Sequence, residues 1–355
     1  MIKVVVGLSG GVDSAVAAYL LKEAGYDVIG LFMRNWQEED EDGRCTADDD
    51  YRDVRRIADT IGIDYYAEDY SREYYDRVFR SFLEEYEKGR TPNPDVLCNR
   101  EIKFDVFTSF ARTMGAEYIA TGHYAAISHE GGEHLLMRAA DEMKDQTYFL
   151  HQVTEEQIAH TLFPLGGIKK SEVRDIARRA GLPVSEKKDS TGICFIGERN
   201  FRKFLSEYIP MKEGDIVTPD GTVVGRHEGV FYYTIGQRKG LGIGGGGNGE
   251  PWFVVAKDVL NNRLIVTQGE TELLYSSALT VESYHDISRA LPEGETRVLA
   301  RIRHRQPLQD ATAVRTGSRV RVVFDKPQRA VAEGQYAVLY DGRICLGGGV
   351  IDSKE

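Results

Sequence analysis

A run of small and hydroxyl-bearing residues near the start of the chain has the composition of a phosphate-binding loop. Ser9-Gly10-Gly11-Val12-Asp13-Ser14 follows an apolar, β-branched run at 2–8 and precedes a segment with helical spacing of apolar residues. Glycines let backbone N–H groups approach a phosphate, and the N-terminus of the following helix adds partial positive charge. The run lacks the Gly-Lys-Ser/Thr ending of a Walker loop. We therefore predict a phosphate site here, with Asp13 as a candidate ligand for Mg²⁺.

Two of the four cysteines lie in segments that favour reactivity. Cys98 follows Pro92-Asn93-Pro94, whose prolines favour extended backbone just before a predicted helix, and a thiol near a helix N-terminus ionises more easily. Cys194 lies in a polar, glycine-containing loop at 189–197. Either residue could instead be a small buried apolar side chain. Cys45 and Cys345 have no comparable context, and we assign them no role.

Composition excludes several classes of protein. The formal net charge of −11 argues against coating of nucleic acid through bulk charge, although a local basic surface remains compatible with it. The cysteines form no CxxC pair, which argues against a zinc finger or a disulfide scaffold. We find no apolar run of membrane-spanning length and no signal peptide, so we expect a cytoplasmic protein without membrane association. A GxGxxG match at 240–245 precedes a predicted strand rather than a helix, so we do not assign it to a dinucleotide site.

The order of predicted elements divides the chain into three parts. Residues 1–200 alternate strands and helices, which predicts a doubly wound α/β domain with a parallel sheet. A helix is predicted at 200–208, and after it the pattern of residues 201–275 changes to short alternating stretches, which predicts a small, mostly β domain. Strands are expected there at 230–235, 252–256 and 264–267. Residues 276–355 are predicted to form a β-barrel.

Two segments have unusual charge. Residues 38–50 contain eight acidic side chains and one arginine, which predicts a solvated loop. Residues 289–329 contain ten Lys or Arg residues and four acidic ones, which contrasts with the acidic whole. This segment indicates a contact with a polyanion, and the alternative is one exposed basic sheet face without a partner.

Six sequence blocks occur in a fixed order along nearly the whole chain. They are Gly7-Leu8-Ser9-Gly10-Gly11-Val12-Asp13-Ser14, Pro92-Asn93-Pro94-Asp95-Val96-Leu97-Cys98-Asn99, Thr121-Gly122-His123-Tyr124, Lys144-Asp145-Gln146-Thr147-Tyr148-Phe149-Leu150, Ser190-Thr191-Gly192-Ile193-Cys194-Phe195-Ile196-Gly197 and Thr234-Ile235-Gly236-Gln237-Arg238. With these blocks the chain resembles the bacterial tRNA-specific 2-thiouridylase family, within the PP-loop ATP pyrophosphatases.

The resemblance implies a reaction and a set of site residues. The expected reaction is ATP-dependent replacement of O2 by sulfur in the wobble uridine, U34, of tRNA. The implied ATP site comprises Gly7, Leu8, Ser9, Gly10, Gly11, Val12, Asp13, Ser14, Met33 and Gly122. The implied contacts with tRNA are Asn93, Pro94, Asp95, His123, Lys144, Asp145, Gln146, Arg303, His304 and Gln335. The implied partners are the tRNA anticodon stem-loop and a cysteine desulfurase or sulfur-relay protein.

The implied chemistry uses both cysteines. Uridine O2 attacks the α-phosphate of ATP, sulfur arrives as a persulfide on Cys194, and Cys98 attacks that persulfide, leaving a Cys98–Cys194 disulfide and AMP. Asp95 is the candidate general acid or base, with a structural Asx turn as its alternative role. A second mechanism uses Cys98, Cys194 and Asp95 as ligands of an iron–sulfur cluster.

Two functions from other classes compete with this hypothesis. The first is a PP-loop ligase that adenylates a small molecule for attack by an amine, a reaction that needs no cysteine pair. The second is a non-catalytic tRNA-binding protein that keeps a nucleotide loop for regulation. Both are less consistent with a phosphate loop, two cysteines and a basic segment in one chain.

Overall fold

The N-terminal half of the protein is built on a parallel sheet. The computed structural model describes residues 1–36, 46–189, 201–244 and 247–355. The first elements, in chain order, are β1 (Lys3–Gly7), α1 (Val12–Glu23), β2 (Asp27–Arg34), α2 (Thr46–Ile61), β3 (Asp64–Asp69), α3 (Ser71–Tyr74), α4 (Arg80–Glu87), α5 (Pro94–Leu97), α6 (Phe107–Thr113), β4 (Tyr118–Ala120), β5 (Ala125–Glu130), β6 (Glu133–Arg138), α7 (Thr147–Leu150), α8 (Glu155–Ala159), β7 (Thr161–Leu162), α9 (Lys170–Arg179) and α10 (Phe201–Ser206). Two π-helical stretches, Tyr75–Phe79 and Cys98–Val106, join α3 to α4 and α5 to α6.

Five of these strands form a parallel sheet in the order β3-β2-β1-β4-β7. Alternate residues of β1 belong to two different cores: Val4 and Val6 pack with α1, α2 and α9, whereas Val5 packs with the helices on the opposite face. A strand that is buried on both faces needs a continuous apolar sequence, which explains the run at 2–8. The predicted doubly wound α/β domain is confirmed.

The acidic segment differs in part from its prediction as a solvated loop. Its first residues, up to 45, lie outside the described residues, but the positions from 46 onward form the first turn of α2. Asp48 and Asp49 lie in that turn, where the helix dipole favours negative side chains. Asp50 lies beside them and forms an ion pair with Lys187. The end of the acidic segment is therefore structured, because its carboxylates stabilise a helix N-terminus.

The central part is a four-stranded sheet in which one expected strand is absent from the residues described. Its strands are β8 (Gly214–Val217), β9 (Val223–His227), β10 (Trp252–Asp258) and β11 (Arg263–Gln268). The prediction of a strand at 230–235 is wrong, since Val230–Tyr232 forms a 3₁₀ turn. Val230 and Tyr233 are both buried in the central core. A spacing of three residues puts both side chains on one side of a 3₁₀ turn, whereas a strand would put them on opposite faces.

The C-terminal part forms a larger antiparallel sheet. Its strands are β12 (Tyr275–Val281), β13 (His285–Asp286), β14 (Gly294–Arg301), β15 (Gln309–Thr316), β16 (Arg319–Arg329), β17 (Tyr336–Asp341), β18 (Ile344–Val350) and β19 (Ser353–Lys354). The order is β19-β12-β16-β15-β14-β17-β18-β6-β5, so the β5–β6 hairpin of the N-terminal half extends the C-terminal sheet. Ile344 pairs with Met137, and the Arg138 amide donates to the Arg343 carbonyl at 2.8 Å. The N-terminal and C-terminal parts of the chain therefore share one sheet.

A buried ion pair also joins the two halves. Arg301 at the end of β14 donates to Asp145 Oδ2 at 2.9 Å, and the two side chains are 4% and 0% exposed. Asp145 also accepts from the Thr147 hydroxyl at 3.0 Å and from the Ala139 amide at 3.2 Å.

Within the described ranges, no helix is both long enough and apolar enough to cross a membrane.

We predict that removal of one partner of this buried pair destabilises the whole fold. Arg301→Met removes the closest countercharge of the buried Asp145 carboxylate and leaves only the longer contact from Arg138 Nε at 3.7 Å, so the expected loss of unfolding free energy is about 3 kcal/mol. The control is Arg297→Met, because the Arg297–Asp325 pair is exposed (60% and 49%) and screened by solvent, so its loss should change stability little. Thermal unfolding followed by circular dichroism checks the prediction; equal shifts of Tm in the two variants would contradict it.

Candidate active site

The predicted phosphate loop leaves a helix N-terminus available to an anion. Gly11 is the N-cap residue of α1, with extended backbone, and no side chain in the described part of the chain caps this helix. The two serines hold the loop instead: Ser14 Oγ accepts from the Ser9 amide and donates to the Gly11 carbonyl, each at 3.2 Å. The first amides of α1 therefore remain free to donate to phosphate oxygens.

Two glycines allow close contacts around this loop. Gly10 has a φ of +74°, and a Cβ atom there would lie 2.7 Å from the Asp50 carbonyl oxygen in α2. Gly122 follows β4, and a Cβ atom there would lie 2.6 Å from the Ser14 amide nitrogen. The predicted nucleotide residue Gly122 therefore packs directly on the loop. Any side chain at either position would push neighbouring backbone away from the phosphate site.

Met33 lies at the base of the same loop. Its Cε atom is 3.3 Å from the position of a Cβ atom on Gly7, and the ring of Phe107 is 3.5 Å from that position. Met33 is buried at the end of β2, which is parallel to β1. The structure thus brings the predicted ATP residues Gly7, Met33 and Gly122 together around the carboxyl ends of β1, β2 and β4, where open α/β sheets bind ligands.

The carboxylate of Asp13 is held by two residues that sequence reasoning did not identify. Lys170 Nζ lies 2.7 and 2.8 Å from its two oxygens, and the Tyr124 hydroxyl donates to Oδ1 at 2.9 Å. Burial and the charge of Asp13 raise the pKa of Tyr124, so it stays a neutral donor. Lys170 is the first residue of α9 and carries no motif of its own, so no local signal in the sequence points to it.

Asp189 extends this polar cluster. Lys144, Lys170 and Arg174 each place a nitrogen 2.8 Å from one of its oxygens. Burial opposes ionisation of this carboxyl, but the hydrogen bonds from Lys144 and Lys170 outweigh it and lower its pKa to about 2. Asp189 is therefore charged at neutral pH, and it is the last described residue before the segment 190–200. That segment, with Cys194, lies outside the described residues.

A second lysine fixes α2 against the loop. Lys187 Nζ donates to the Gly10 carbonyl at 3.1 Å and to Asp50 and Asp53 at 2.8 Å each. Burial lowers the pKa of this ammonium, but the two hydrogen-bonded carboxylates outweigh that effect and raise it. Sequence reasoning also missed Lys187, because its partners lie more than 130 positions away in the chain.

Cys98 begins the π-helical stretch that leads to Phe107 beside the loop. Asn93 caps the preceding helix α5, accepting from the Asp95 amide at 3.1 Å, and Pro94 occupies its first turn. Cys98 is 0% exposed and belongs to the same core as Met33. The side chain that caps this helix, the role expected of an Asx turn, is therefore Asn93 and not Asp95. Asp95 is partly exposed and lies one helical turn before the thiol of Cys98.

The segment before Cys98 is fixed to the C-terminal sheet. Gln335 Nε2 donates to the Thr91 carbonyl at 2.6 Å, and the Thr91 amide donates to the Glu333 carbonyl at 2.9 Å. A cavity of about 360 Å³ lies beside this junction and is lined by Asn93, Pro94 and residues of the C-terminal part. The predicted tRNA residues Asn93, Pro94 and Gln335 therefore meet at one place.

The remaining predicted tRNA residues have varied environments. His123 is buried against Phe104 and Phe163, and burial followed by the charge of Lys103 holds its pKa well below its usual range. Asp145 is the fully buried partner of Arg301, so both His123 and Asp145 are inaccessible to RNA in this conformation.

Other members of that set lie nearer the surface. Gln146 exchanges hydrogen bonds with the backbone of Tyr124, each at 2.9 Å. The ring of His304 packs on Phe149 with centroids 4.4 Å apart, and burial followed by the charges of Arg305, Arg301 and Lys144 lowers its pKa to about 4. His304 is thus neutral at physiological pH.

Three family models match consecutive ranges of the chain. Residues 2–198 match a model described as a tRNA methyl transferase HUP domain, residues 202–268 a tRNA methyl transferase PRC-barrel domain, and residues 276–351 an aminomethyltransferase beta-barrel domain. Among solved structures, one match is a 4-thiouridine synthetase–RNA complex with bound ATP, which is 18% identical and covers 59% of this chain and 50% of that chain with a TM-score of 0.38.

Curated relatives match over the full length. The tRNA-specific 2-thiouridylase of Alkaliphilus oremlandii is 55% identical over 352 residues, which cover 99% of this chain and 97% of the relative. That of Streptococcus pyogenes is 56% identical over 356 residues, which cover 99% of this chain and 95% of the relative. With this identity over nearly every residue, the chain belongs to the tRNA-specific 2-thiouridylase family.

Proposed function

We propose that this protein replaces O2 of the tRNA wobble uridine, U34, with sulfur in an ATP-dependent reaction that releases AMP and pyrophosphate. The observation that carries the proposal is the helical segment from Cys98 to Phe107, which starts at a thiol and ends against Gly7 of the phosphate loop. A nucleotide site and a sulfur nucleophile at the two ends of one helical segment suit adenylation followed by sulfur transfer. Full-length identity to curated 2-thiouridylases supports the same reaction.

ATP is proposed to bind with its phosphates on the free amides of α1 and its adenine beside Met33. Lys170 Nζ lies at Asp13, next to those amides, so it can transfer one of its contacts to a phosphate oxygen without leaving the site. Asp13 is the residue that would hold Mg²⁺ together with the phosphates, and the ion would neutralise phosphate charge. A single carboxylate suits Mg²⁺, which keeps several water or phosphate ligands.

Adenylation makes the uridine oxygen a leaving group. O2 attacks the α-phosphorus, the bond to the β-phosphate oxygen breaks, and pyrophosphate leaves. Asp95 is proposed to accept the N3 proton that the base loses in this step, because it is partly exposed and follows Asn93 and Pro94 at the cavity. The base must leave its stack to reach this position.

Sulfur transfer then uses both cysteines. The terminal sulfur of a persulfide on Cys194 forms a bond to C2, and AMP leaves with the former O2. Cys98 attacks the Cys194 sulfur, which breaks the S–S bond of the persulfide and forms a Cys98–Cys194 disulfide. A thiol reductant must supply two electrons before the next turnover. Because Cys98 is fully buried, the segment 92–99 must open when RNA binds.

An iron–sulfur route would use Cys98, Cys194 and Asp95 as ligands, and Cys194 lies outside the described residues. Cys98 is surrounded by apolar neighbours such as Val96 and Ile102. We therefore derive no step through a cluster.

The small-molecule ligase is not favoured, because a ligase needs neither cysteine and the matched relatives are named as tRNA enzymes over their full length.

We place the reaction in the cytoplasm. The proposed sulfur donor is a cysteine desulfurase or a sulfur-relay protein, which loads Cys194 with persulfide.

Nucleoside mass spectrometry tests the function. Unmodified tRNA is incubated with the protein, Mg-ATP and a persulfide source, and we expect a sulfur-for-oxygen mass change at U34. Cys98→Ala and Cys194→Ala should abolish the product, because each removes one sulfur of the transfer. Cys345→Ala is the matched control, since Cys345 is also buried but lies in the C-terminal sheet.

Accurate mass also separates this reaction from methyl transfer, which the family-model descriptions name. A methyl adduct, or full activity in both the Cys98 and Cys194 variants, would overturn the proposal. Pyrophosphate release that needs an amine rather than tRNA would identify the ligase instead.

We predict that Lys170 is needed for turnover of ATP. Lys170→Met removes the ammonium beside Asp13 and should lower tRNA-dependent pyrophosphate release by about 100-fold, the cost typical of losing one preorganised charged group at a reacting phosphate. Lys169→Met is the control, because Lys169 is the exposed neighbour at the start of the same helix. Similar rates in both variants would show that Lys170 has no role in ATP turnover.

A further inference from the structure

Most charges of the basic segment 289–329 are neutralised within the protein. The carboxylate partners of its arginines are Glu133 for Arg289, Asp325 for Arg297, Asp145 for Arg301, Asp286 for Arg315, Glu282 for Arg319, Glu355 for Arg321 and Glu270 for Arg329. The segment as a whole is therefore not a basic face. Its net charge in the sequence overstates the charge available to a polyanion.

Arg305 differs from these residues. It is exposed, and none of the residues that the structure describes forms an ion pair with it. Its φ of +67° lies in the left-handed region, which is costly for a residue with a side chain. Backbone strain of this kind persists only where the surrounding structure enforces it, and it is concentrated at functional sites.

The turn that carries Arg305 is rigidly held. The Gln306 side chain accepts from the Ile302 amide at 3.1 Å, and the Gln306 amide donates to the Arg303 carbonyl at 3.2 Å. Gln306 Nε2 also donates to Gln328 at 2.9 Å. The position of Arg305 is thus determined by the C-terminal sheet.

A second turn with the same construction lies in the central part. The Gln237 side chain accepts from the Thr234 amide at 3.0 Å and donates to the Lys239 carbonyl at 2.9 Å. Arg238 and Lys239 follow on this turn. Both are exposed, and neither has an ion-pair partner in the part of the chain that the structure covers.

The two turns are joined directly. Arg303 donates to the Ile235 carbonyl at 3.3 Å and to the Ala330 carbonyl, which links the 302–306 turn to the 234–239 turn. Gly236 has a φ of +82°, and a Cβ atom there would lie 2.5 Å from the Ala330 side chain. Arg303, although predicted to contact RNA, therefore connects the two turns.

This pair of turns is close to the thiol. Phe149, whose carbonyl accepts from Asn99 Nδ2 at 3.1 Å, stacks with its ring on His304. Asn99 is the residue after Cys98, and His304 is the residue before Arg305. Two contacts, Asn99 to Phe149 and Phe149 to His304, therefore connect the Cys98 segment to the 302–306 turn.

We propose that Arg305, Arg238 and Lys239 form a two-turn clamp that binds the phosphate backbone of tRNA beside the Cys98 segment. The proposal rests on the proposed function for the identity of the RNA. Its physical basis is that these charges, unlike most others nearby, are exposed without carboxylate partners and are fixed on rigid turns. Phosphate contacts set the register of a nucleic acid on a protein without reading its sequence. The clamp would therefore position the anticodon arm so that U34 reaches the thiol.

Salt-dependent binding tests the clamp. The dissociation constant of unmodified tRNA is measured by filter binding over a range of salt concentrations for the wild type, Arg305→Ala and the double variant Arg238→Ala/Lys239→Ala. We expect the dissociation constant to rise roughly three- to tenfold. The slope of the logarithm of the binding constant against the logarithm of salt concentration should become less steep by about one for each lost phosphate contact. Arg319→Ala is the control, because it removes the same charge from the same sheet at an arginine paired with Glu282.

Thiolation by the wild type is measured in parallel, so that the two proposals can fail separately. If the wild type thiolates tRNA but the clamp variants bind with unchanged affinity and slope, the clamp is wrong and the function stands. If the variants lose affinity and slope but the wild type never thiolates, the clamp is supported and the function is wrong. A loss of tRNA affinity in Arg319→Ala as large as that in Arg305→Ala would also overturn the clamp. The same holds if the wild type does not bind tRNA.

Discussion

The buried carboxylate of Asp145 organises the centre of this molecule. An ionised group without contact to water must be paired, and Arg301 pairs it from the opposite half of the chain. The segment around Asp145 is thereby fixed, and its neighbours reach three different places. Lys144 forms an ion pair with Asp189. Gln146 accepts a hydrogen bond from the backbone of Tyr124, whose hydroxyl donates to Asp13. Phe149 contacts both Asn99 and His304. One ion pair thus connects the predicted phosphate loop, the Cys98 segment and the 302–306 turn.

The sequence was informative where function depends on local backbone. The phosphate loop, the start of a helix after Pro92-Asn93-Pro94 and the strands of the parallel sheet are each encoded within a few consecutive residues, so their placement could be predicted. Lys170 and Lys187 could not, because their partners lie far away in the chain and a lysine at a helix start has no distinctive pattern. The turn at 230–232 was missed because apolar spacing in a short segment does not distinguish a strand from a 3₁₀ turn.

Charge was the least reliable signal. Counting residues in the segment 289–329 predicted a polyanion contact, but the fold supplies carboxylates from distant segments to most of its arginines. Only the three-dimensional pairing separates a neutralised arginine from an available one. The same reasoning applies to Asp145, which a motif associates with RNA and which the fold assigns to the interior.

The shared sheet has a consequence for how the protein is made. The β5–β6 hairpin is synthesised within the first 138 residues, but its partner β18 begins at Ile344. During translation the edge of β6 that β18 will cover lacks this partner until residues 344–350 have been synthesised. Unpaired strand edges are sites of aggregation, so a fragment that ends before β18 would have a β6 edge free to pair with another chain. Completion of the last strands is therefore also the step that protects the first half from self-association.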